Sequence, residues 1–563
     1  MQVLQRDIHR PLFPIDEPST VDLPAGHVKQ PGHRPLSTAV RFDHNHAFPM
    51  RDGVRLRADV FRPVDSDAVP VPAIVAWGPY GKTSTGALVI DKVPLRSGVA
   101  KSRLSGYDSF EGPDPAEWVA RGYAVVNVDS RGSGDSEGDL RIWGTPEGQG
   151  GHDFVEQIAA QPWCSGRVAL AGNSWLAIVQ WFGALEHPPH LTCIAPMEGL
   201  SDALRENVGR GGIDSSVFFR MIASTLTGRA EQEDLAKMFE TDPYRNEYWD
   251  DKRVDFGQIQ VPAYIVASYS TGLHNPGSFR AFHEIPHNKK WYLGTLPHEY
   301  DLVSDEPVQD IARFFDFYMK DAQNGWEETS PVRLSLLGYN LPREVKALQA
   351  LPWTQPGCAK LKLHLNADQS MRESHAAAAT TTTGNATTLS YQADVPARQA
   401  DSDAGELLFR YTFPRKTLLA GPSKLVVHMS AEVQDDLDVY VQLRKADAHG
   451  NILRYLNVAL ADLGVASESD VPLTNTLQHL GPTGQLRASM RAVDPELSTP
   501  YWQTLSHDRA LVQPVARGEV VRLEVYIWPA GMVFEAGESL VLKMAGHDTA
   551  LAELSTCRAL LGW

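Results

Sequence analysis

Cysteine is scarce in this chain: 563 residues carry only Cys164, Cys193, Cys358 and Cys557. They are scattered, with no CxxC pair and no Cys/His spacing of the kind that holds zinc. All four are therefore expected to be reduced and structural, and no disulfide framework is legible. The one HExxH, His283 to His287, is interrupted by Pro286 and cannot lie on an unbroken helix, and neither GxxxxGK[ST] nor a helix-opening GxGxxG occurs. The common metal and nucleotide chemistries drop out, so no metal and no cofactor is expected. Long apolar runs are missing too: nothing approaches the ~18 residues that cross a bilayer. The opening MQVLQRDIHRPLFPIDEPST has no basic stretch followed by an apolar one, so the expectation is a cytoplasmic protein with no membrane partner. Positive charge is also short, with 52 Lys and Arg against 69 Asp and Glu and a formal net charge of -17. That balance argues against a nucleic-acid partner, because a phosphate backbone recruits basic surface.

What is present is apolar sequence in ordered pieces. At 43% hydrophobic and 21% charged residues the composition is globular, and the length exceeds the ~250–300 residues at which one core stops growing, so at least two domains are expected. Residues 1–40, rich in Pro and His, read as an extended arm. VRFDHNHAFPMRDGVRLRADVFRP alternates around Asp52-Gly53 as a β-hairpin does. PAIVAWGPYG, AVVNV and RVALAG are short continuous apolar runs separated by helical patterns such as HDFVEQIAAQPW, which predicts an α/β domain with a parallel sheet. That domain is expected over 41–200 and again over 258–328. Between the two parts, 201–257 reads as a helical cap with no convincing strand. From 329 to 563 short alternating strands (LKLHL, KLVVHMS, DVYVQLRK, VVRLEVYIW, SLVLKMAG) predict a jelly-roll β-sandwich, with HAAAATTTTGNATT as a surface loop.

The chemistry centres on AGNSWLAIVQW. A strand running straight into a helix lifts the turn residue above the carboxyl edge of the sheet, with helix N-terminal amides behind it. A serine there is an exposed nucleophile with an oxyanion site beside it. Gly172-Asn173-Ser174-Trp175-Leu176-Ala177 fits this elbow, except that Ala177 stands one residue later than the second glycine of GxSxG. The bland alternative is a small residue in a tight turn.

Further segments settle the choice. RDGVRLRADVFRP, WGPYGK, NVDSRGSGDSEG, QPWCSGRVALAGNSW, IAPMEGLSD, GPSKLVVHMSAEVQDDLDVYVQL and VFEAGESLVLKMAGHD occur in the order of the CocE/NonD α/β-hydrolases. The chain resembles that family, which contains cocaine esterase, X-prolyl dipeptidyl aminopeptidase and α-amino-acid ester hydrolases, from about residue 45 to its end. The resemblance implies Ser174 as nucleophile, His298 in GTLPHEY as its base, and Tyr80 with the Trp175 amide holding the oxyanion. It also implies a Trp-Tyr-Asp motif supplying the acid, and here the chain departs: the matching stretch reads SYSTGLHNPG, with Ser268, Ser270 and Thr271 and no carboxylate.

Either catalysis is weakened, because an unoriented imidazole takes the wrong tautomer, or another strand supplies the acid. Glu198 in APMEGLSD, at the end of a neighbouring strand, suits the second explanation. Asp202 is its helix-capping counterpart, and Asp301 is too near His298 in sequence to reach it without a contorted loop. His274 is expected to line the substrate pocket, with a role as base the lesser alternative. Asp129, Asp135 and Glu137 read as loop-holding, and Asp435, Asp436 and Asp438 as turn and strand-end residues. Arg205, Arg210, Phe218 and Phe219 of the cap are open between shaping specificity and packing.

The expected function is a serine hydrolase acting through an acyl-enzyme on esters or amides of small or medium acyl groups, with a small-molecule acyl substrate as its partner. An acyltransferase passing the acyl group to an alcohol or amine stays open, as does a weakened hydrolase homologue that binds ligands. Substrate identity and the presence of a homo-oligomer are not readable from the sequence.

Overall fold

Ala-Val-Val-Asn-Val-Asp at 124–129 is buried throughout in the computed structural model, as is nearly all of Val71–Gly78. Strands of this kind need cover on both sides, which only helices crossing over a parallel sheet provide. The structure describes the chain apart from residues 1, 11–13, 85, 87, 295–297, 299–301, 357, 374–387, 396–404 and 550–563. Its first thirteen strands are β1 (Gln5–Asp7), β2 (Ser19–Leu23), β3 (Val40–Pro49), β4 (Arg55–Pro63), β5 (Val71–Gly78), β6 (Ala124–Asp129), β7 (Cys164–Asn173), β8 (Leu191–Met197), β9 (Glu231–Glu233), β10 (Ala263–Ala267), β11 (Lys290–Gly294), β12 (Val332–Leu336) and β13 (Glu344–Leu348).

All but β1 and β9 join one 11-stranded sheet in the order β13-β12-β11-β10-β8-β7-β5-β6-β4-β3-β2. The run from β12 to β6 is parallel, and antiparallel strands finish both edges. From β5 the chain goes to β6 on one side and then to β7 on the other. The crevice at the carboxyl ends of β5 and β7 is therefore the topological switch point, where α/β sheets bind ligands. Helices Thr145–Ala159 and Trp175–Leu185 and the cap cover one face around Phe154, Trp181 and Phe256. Helix Asp305–Lys320 covers the other around Trp118, Phe314 and Trp326. Among the described residues no helix is long and apolar enough to cross a membrane.

Three features differ from the sequence reading. The arm is more than an extended tail: β2 pairs with β3 at the sheet edge, and β1 pairs antiparallel with β9. That second pairing puts a strand inside the cap region expected to have none. Three residues, Glu-Gln-Glu, carry no alternation, and their partner lies more than 220 positions away, so no local signal marks them. Third, β12 and β13, placed at the start of the jelly roll by the expected boundary at 328/329, hydrogen-bond into the large sheet. Alternation identifies a strand but does not say which sheet it joins.

Beyond β13 a six-stranded antiparallel sheet forms from Leu407–Thr412, Ser539–Ala545, Asp438–Ala446, Thr483–Arg487, Val521–Phe534 and Thr417–Met429, in that spatial order. Val439, Val441, Leu523, Val525 and Phe534 lie in its core, giving a sandwich-like β-domain. The two sheets meet at Leu337, whose amide donates to the Gly531 carbonyl (2.8 Å) and whose carbonyl accepts from the Val533 amide (3.0 Å).

Candidate active site

Ser174 sits between β7 and helix Trp175–Leu185 with φ 56° and ψ -118°, a conformation that costs an L-residue about 1–3 kcal/mol and persists only where its surroundings over-determine it. Those surroundings are visible. The Ser174 amide donates to the Met197 carbonyl of β8 (3.0 Å), and the Asn173 amide to the Glu111 carbonyl (3.0 Å). Gly172 has φ 142°, and a Cβ there would come within 2.6 Å of the Leu176 Cβ. At Gly199 a Cβ would lie 3.2 Å from that of Ala177, so a small side chain at 177 is what lets the helix come in behind the turn. Among the described residues nothing accepts the Trp175 amide, the first orphan donor of the helix.

Tyr80 follows β5, is buried, and meets Trp175 edge-on with ring centroids 6.2 Å apart. Burial and the nearby Glu111 carboxylate push its hydroxyl well above the usual phenol range, and a hydrogen bond with Ser174 partly offsets them. The Trp175 indole donates to Glu147 Oε1 (3.4 Å), as does that of Trp77 (3.1 Å), while the Trp143 amide takes Oε2 (2.8 Å). Burial pushes the Glu147 carboxyl up to about 7.

Glu198 follows β8 with φ 58°, its amide donating to the Val266 carbonyl of β10 (2.8 Å), and its side chain has no solvent exposure. Its Oε2 lies 2.6 Å from His298 Nδ1. The Asn173 side-chain amide donates to the His298 carbonyl, which holds the histidine backbone beside the serine turn. His298 Nε2, the nitrogen a nucleophilic serine has to reach, is bound by Glu111 Oε1 at 2.8 Å. Burial lowers the His298 pKa, but Glu198 and Glu111 together outweigh it and hold the imidazole well above its ordinary value. Glu111 itself is raised, chiefly by burial, with its contact to His298 opposing.

His274 is buried and stacks on His298, with centroids 5.5 Å apart and planes 12° from parallel. Burial, then the charge of His298, push it well below the usual imidazole value. Where relatives would carry an aspartate, Ser268 and Ser270 bond each other at 2.8 Å.

The structure thus brings Ser174, Tyr80, Trp175, Glu198, His274 and His298 together. Asp202 caps the turn at 203–208, accepting from the Arg205 amide (3.0 Å), and pairs with the Arg205 guanidinium at 2.9 Å. Asp301 lies outside the described residues. Asp129 accepts from the Lys82 amide and ammonium and the Asp135 amide, Glu137 pairs with Arg55, and Asp438 with Arg487. Arg205 and Arg210 reach the β-domain: Arg205 donates to the carbonyls of Leu505 and Ser506, Arg210 to Thr483. Phe219 packs on Trp143 and Trp175. Among the described residues no cluster of His, Cys, Asp and Glu could hold a metal.

Glu111 was missed. It lies in YDSFEGPDP, a loop between β5 and β6 with no periodicity, and its one structural signature, φ +64°, is invisible in sequence.

Residues 52–232 match the model of the X-Pro dipeptidyl-peptidase (S15 family), and 324–558 that of the X-Pro dipeptidyl-peptidase C-terminal non-catalytic domain. Over 161 residues the chain is 34% identical to a cocaine esterase of Rhodococcus sp. (strain MB1 Bresler), a stretch that spans 29% of this chain and 24% of that protein. A CocE/NonD family hydrolase from Staphylococcus aureus superposes with a TM-score of 0.80 at 25% identity, covering 96% of this chain and 92% of that one. An α-amino acid ester hydrolase shares the fold, with a TM-score of 0.67 at 16% identity over 90% of this chain and 89% of that one.

Proposed function

This chain belongs to the CocE/NonD α/β-hydrolases, with an S15-type domain followed by its C-terminal β-domain, and on that premise we propose that it is a serine hydrolase cleaving esters or amides of small or medium acyl groups through an acyl-enzyme. The observation that carries the reading is the Ser174 backbone at φ 56°, ψ -118° on the strand-to-helix turn. A serine held in this conformation on a strand-to-helix turn has its hydroxyl raised above the sheet edge, as a nucleophile requires.

In this reading the Ser174 hydroxyl attacks the acyl carbon as His298 Nε2 takes its proton. The Glu198 carboxylate on Nδ1 fixes the tautomer that leaves Nε2 free to accept, and it stabilises the imidazolium that results. The developing oxyanion is received by the Trp175 amide, which has no other acceptor among the described residues, and by the Tyr80 hydroxyl, which turns to it from its hydrogen bond with Ser174. The imidazolium returns its proton to the leaving group, and water activated by the same nitrogen releases the acid. The contact of Glu198 with Nδ1 supports its taking the role that Ser268 and Ser270 leave empty. Cocaine esterase acts on an ester by its name, and esters of small acids are the first substrates to try.

The test is covalent labelling of the full chain by a fluorophosphonate, read by intact mass. Wild type is expected to gain one adduct and Ser174→Ala none. Equal labelling of both would refute the nucleophile.

A further inference from the structure

The serine-hydrolase reading has to account for Glu111, and the inference that follows rests on that reading. A neutral imidazole has one N–H donor and one acceptor nitrogen, whereas an ionised carboxylate only accepts. His298 has a carboxylate oxygen on each nitrogen, Glu198 at 2.6 Å and Glu111 at 2.8 Å. Both ring nitrogens therefore carry protons, or one carboxyl does. In the first case the ring is an imidazolium with no lone pair to offer Ser174; in either case Nε2 is already engaged.

Glu111 does not reach this position by chance. Its carbonyl accepts the Asn173 amide, tying its backbone to the serine turn. Its side chain is only 9% exposed, and among the described residues its second oxygen, Oε2, has no hydrogen-bond partner. We propose that Glu111 is a latch: its carboxylate holds His298 doubly protonated and off the Ser174 hydroxyl, and acylation begins only when that contact is released.

The groups facing the ring come from every element around it. Glu198 follows β8, Glu111 lies on the loop between β5 and β6, and His274 precedes helix Asn275–Glu284. Behind them, Tyr80 interacts with Glu111 and Tyr292 of β11 with Glu198. Of these, only the two carboxylates favour a charged ring, and only Glu111 engages the nitrogen needed for catalysis. When Nε2 loses its proton to solvent, two acceptors face each other and Glu111 turns away. The ring then accepts the Ser174 proton as the serine oxygen bonds to the acyl carbon, and passes that proton to the leaving group. Glu111 is a positioning residue and contacts no substrate in this scheme.

Glu111→Gln keeps the shape and removes the charge. The pH midpoint of fluorophosphonate labelling is expected to fall by about one unit or more, the size of shift a neighbouring opposite charge produces. Labelling at pH 6 rises accordingly, about tenfold. Glu111→Asp, which keeps the charge, should hold the midpoint near wild type. An unmoved midpoint in Glu111→Gln, or an equal loss at every pH, would overturn the latch. Histidine-selective NMR titration, assigned with His298→Gln, reads the ring without any reaction. In wild type His298 should remain protonated well above the ordinary imidazole range, and its midpoint should fall in Glu111→Gln. A ring already neutral at pH 7 in wild type refutes the latch even if the variant fails to fold. No labelling in any form, with the NMR midpoint still shifting, would sink the nucleophile and leave the latch standing. Ser174-dependent labelling with a fixed NMR midpoint would do the reverse.

Discussion

Glu198 has no water to fall back on: its side chain is fully buried, and among the described residues its only polar contact is His298 Nδ1. Glu198→Gln keeps the volume and withdraws the charge that orients the ring and stabilises the imidazolium. Acylation of Ser174 is expected to slow about 10⁴-fold, as when a triad carboxylate becomes an amide, with little change in Tm. Single-turnover labelling and a melting curve check both, and a rate within tenfold of wild type removes Glu198 from the proposed triad. How far each residue was legible follows from how local its signal is. Ser174 announces itself because an elbow is encoded in six consecutive residues. Glu198 was suggested by its place, as an acid at the carboxyl end of the strand next to the nucleophile, and the structure sets it against His298 Nδ1. Glu111 was not found, because what brings it to His298 is a backbone bond between its loop and the end of β7, about sixty positions on.

At the scale of the element, strands with unbroken apolar sequence were easy to read, since the AIVAW of β5 has no polar face to leave half exposed. Short strands paired with distant partners were not. β1 and β9 are three residues each and hold the cap to the arm, with further bonds from the Gly228 amide to the His9 carbonyl (2.9 Å) and the Asp234 amide to the Leu4 carbonyl (2.9 Å). Ile8 of the same arm is buried in the core beneath the cap. Deleting residues 2–10 removes these ties and leaves the large sheet intact. With each lost bond contributing about 1 kcal/mol, the segment around 226–234 should open more often. Its cleavage under native limited proteolysis should then accelerate at least tenfold. Unchanged cleavage would mean that the cap is held from below by its own packing.

The molecule as a whole is joined by more than a linker. The large sheet runs on past the expected boundary through β12 and β13, and Leu337 then hydrogen-bonds to the β-domain strand Val521–Phe534. That strand also reaches the site, because Trp528 lies against Gly272, two residues before His274. The cap adds its own ties. Arg205 is nearly buried, donates from Nε to the Leu505 carbonyl (2.7 Å) and from Nη2 to the Ser506 carbonyl (3.0 Å), and pairs with Asp202 through Nη1. The Arg210 guanidinium lies 3.4 Å from the centre of the Trp528 ring, and burial pushes its pKa down to about 9. The two domains and the cap should therefore unfold in one calorimetric transition, because opening the interface strands buried donors and carbonyls on both sides. Arg205→Ala tests this at one point. It leaves two carbonyls unpaired and Asp202 with the position-205 backbone amide and, as its remaining ion pair, the more distant Arg253 at 3.5 Å, a loss of about 3–5 kcal/mol for a broken buried pair. The expected outcome is a lower Tm with the β-domain separating as a second, earlier transition. A single transition at the wild-type temperature would show that the interface is held by its apolar contacts alone.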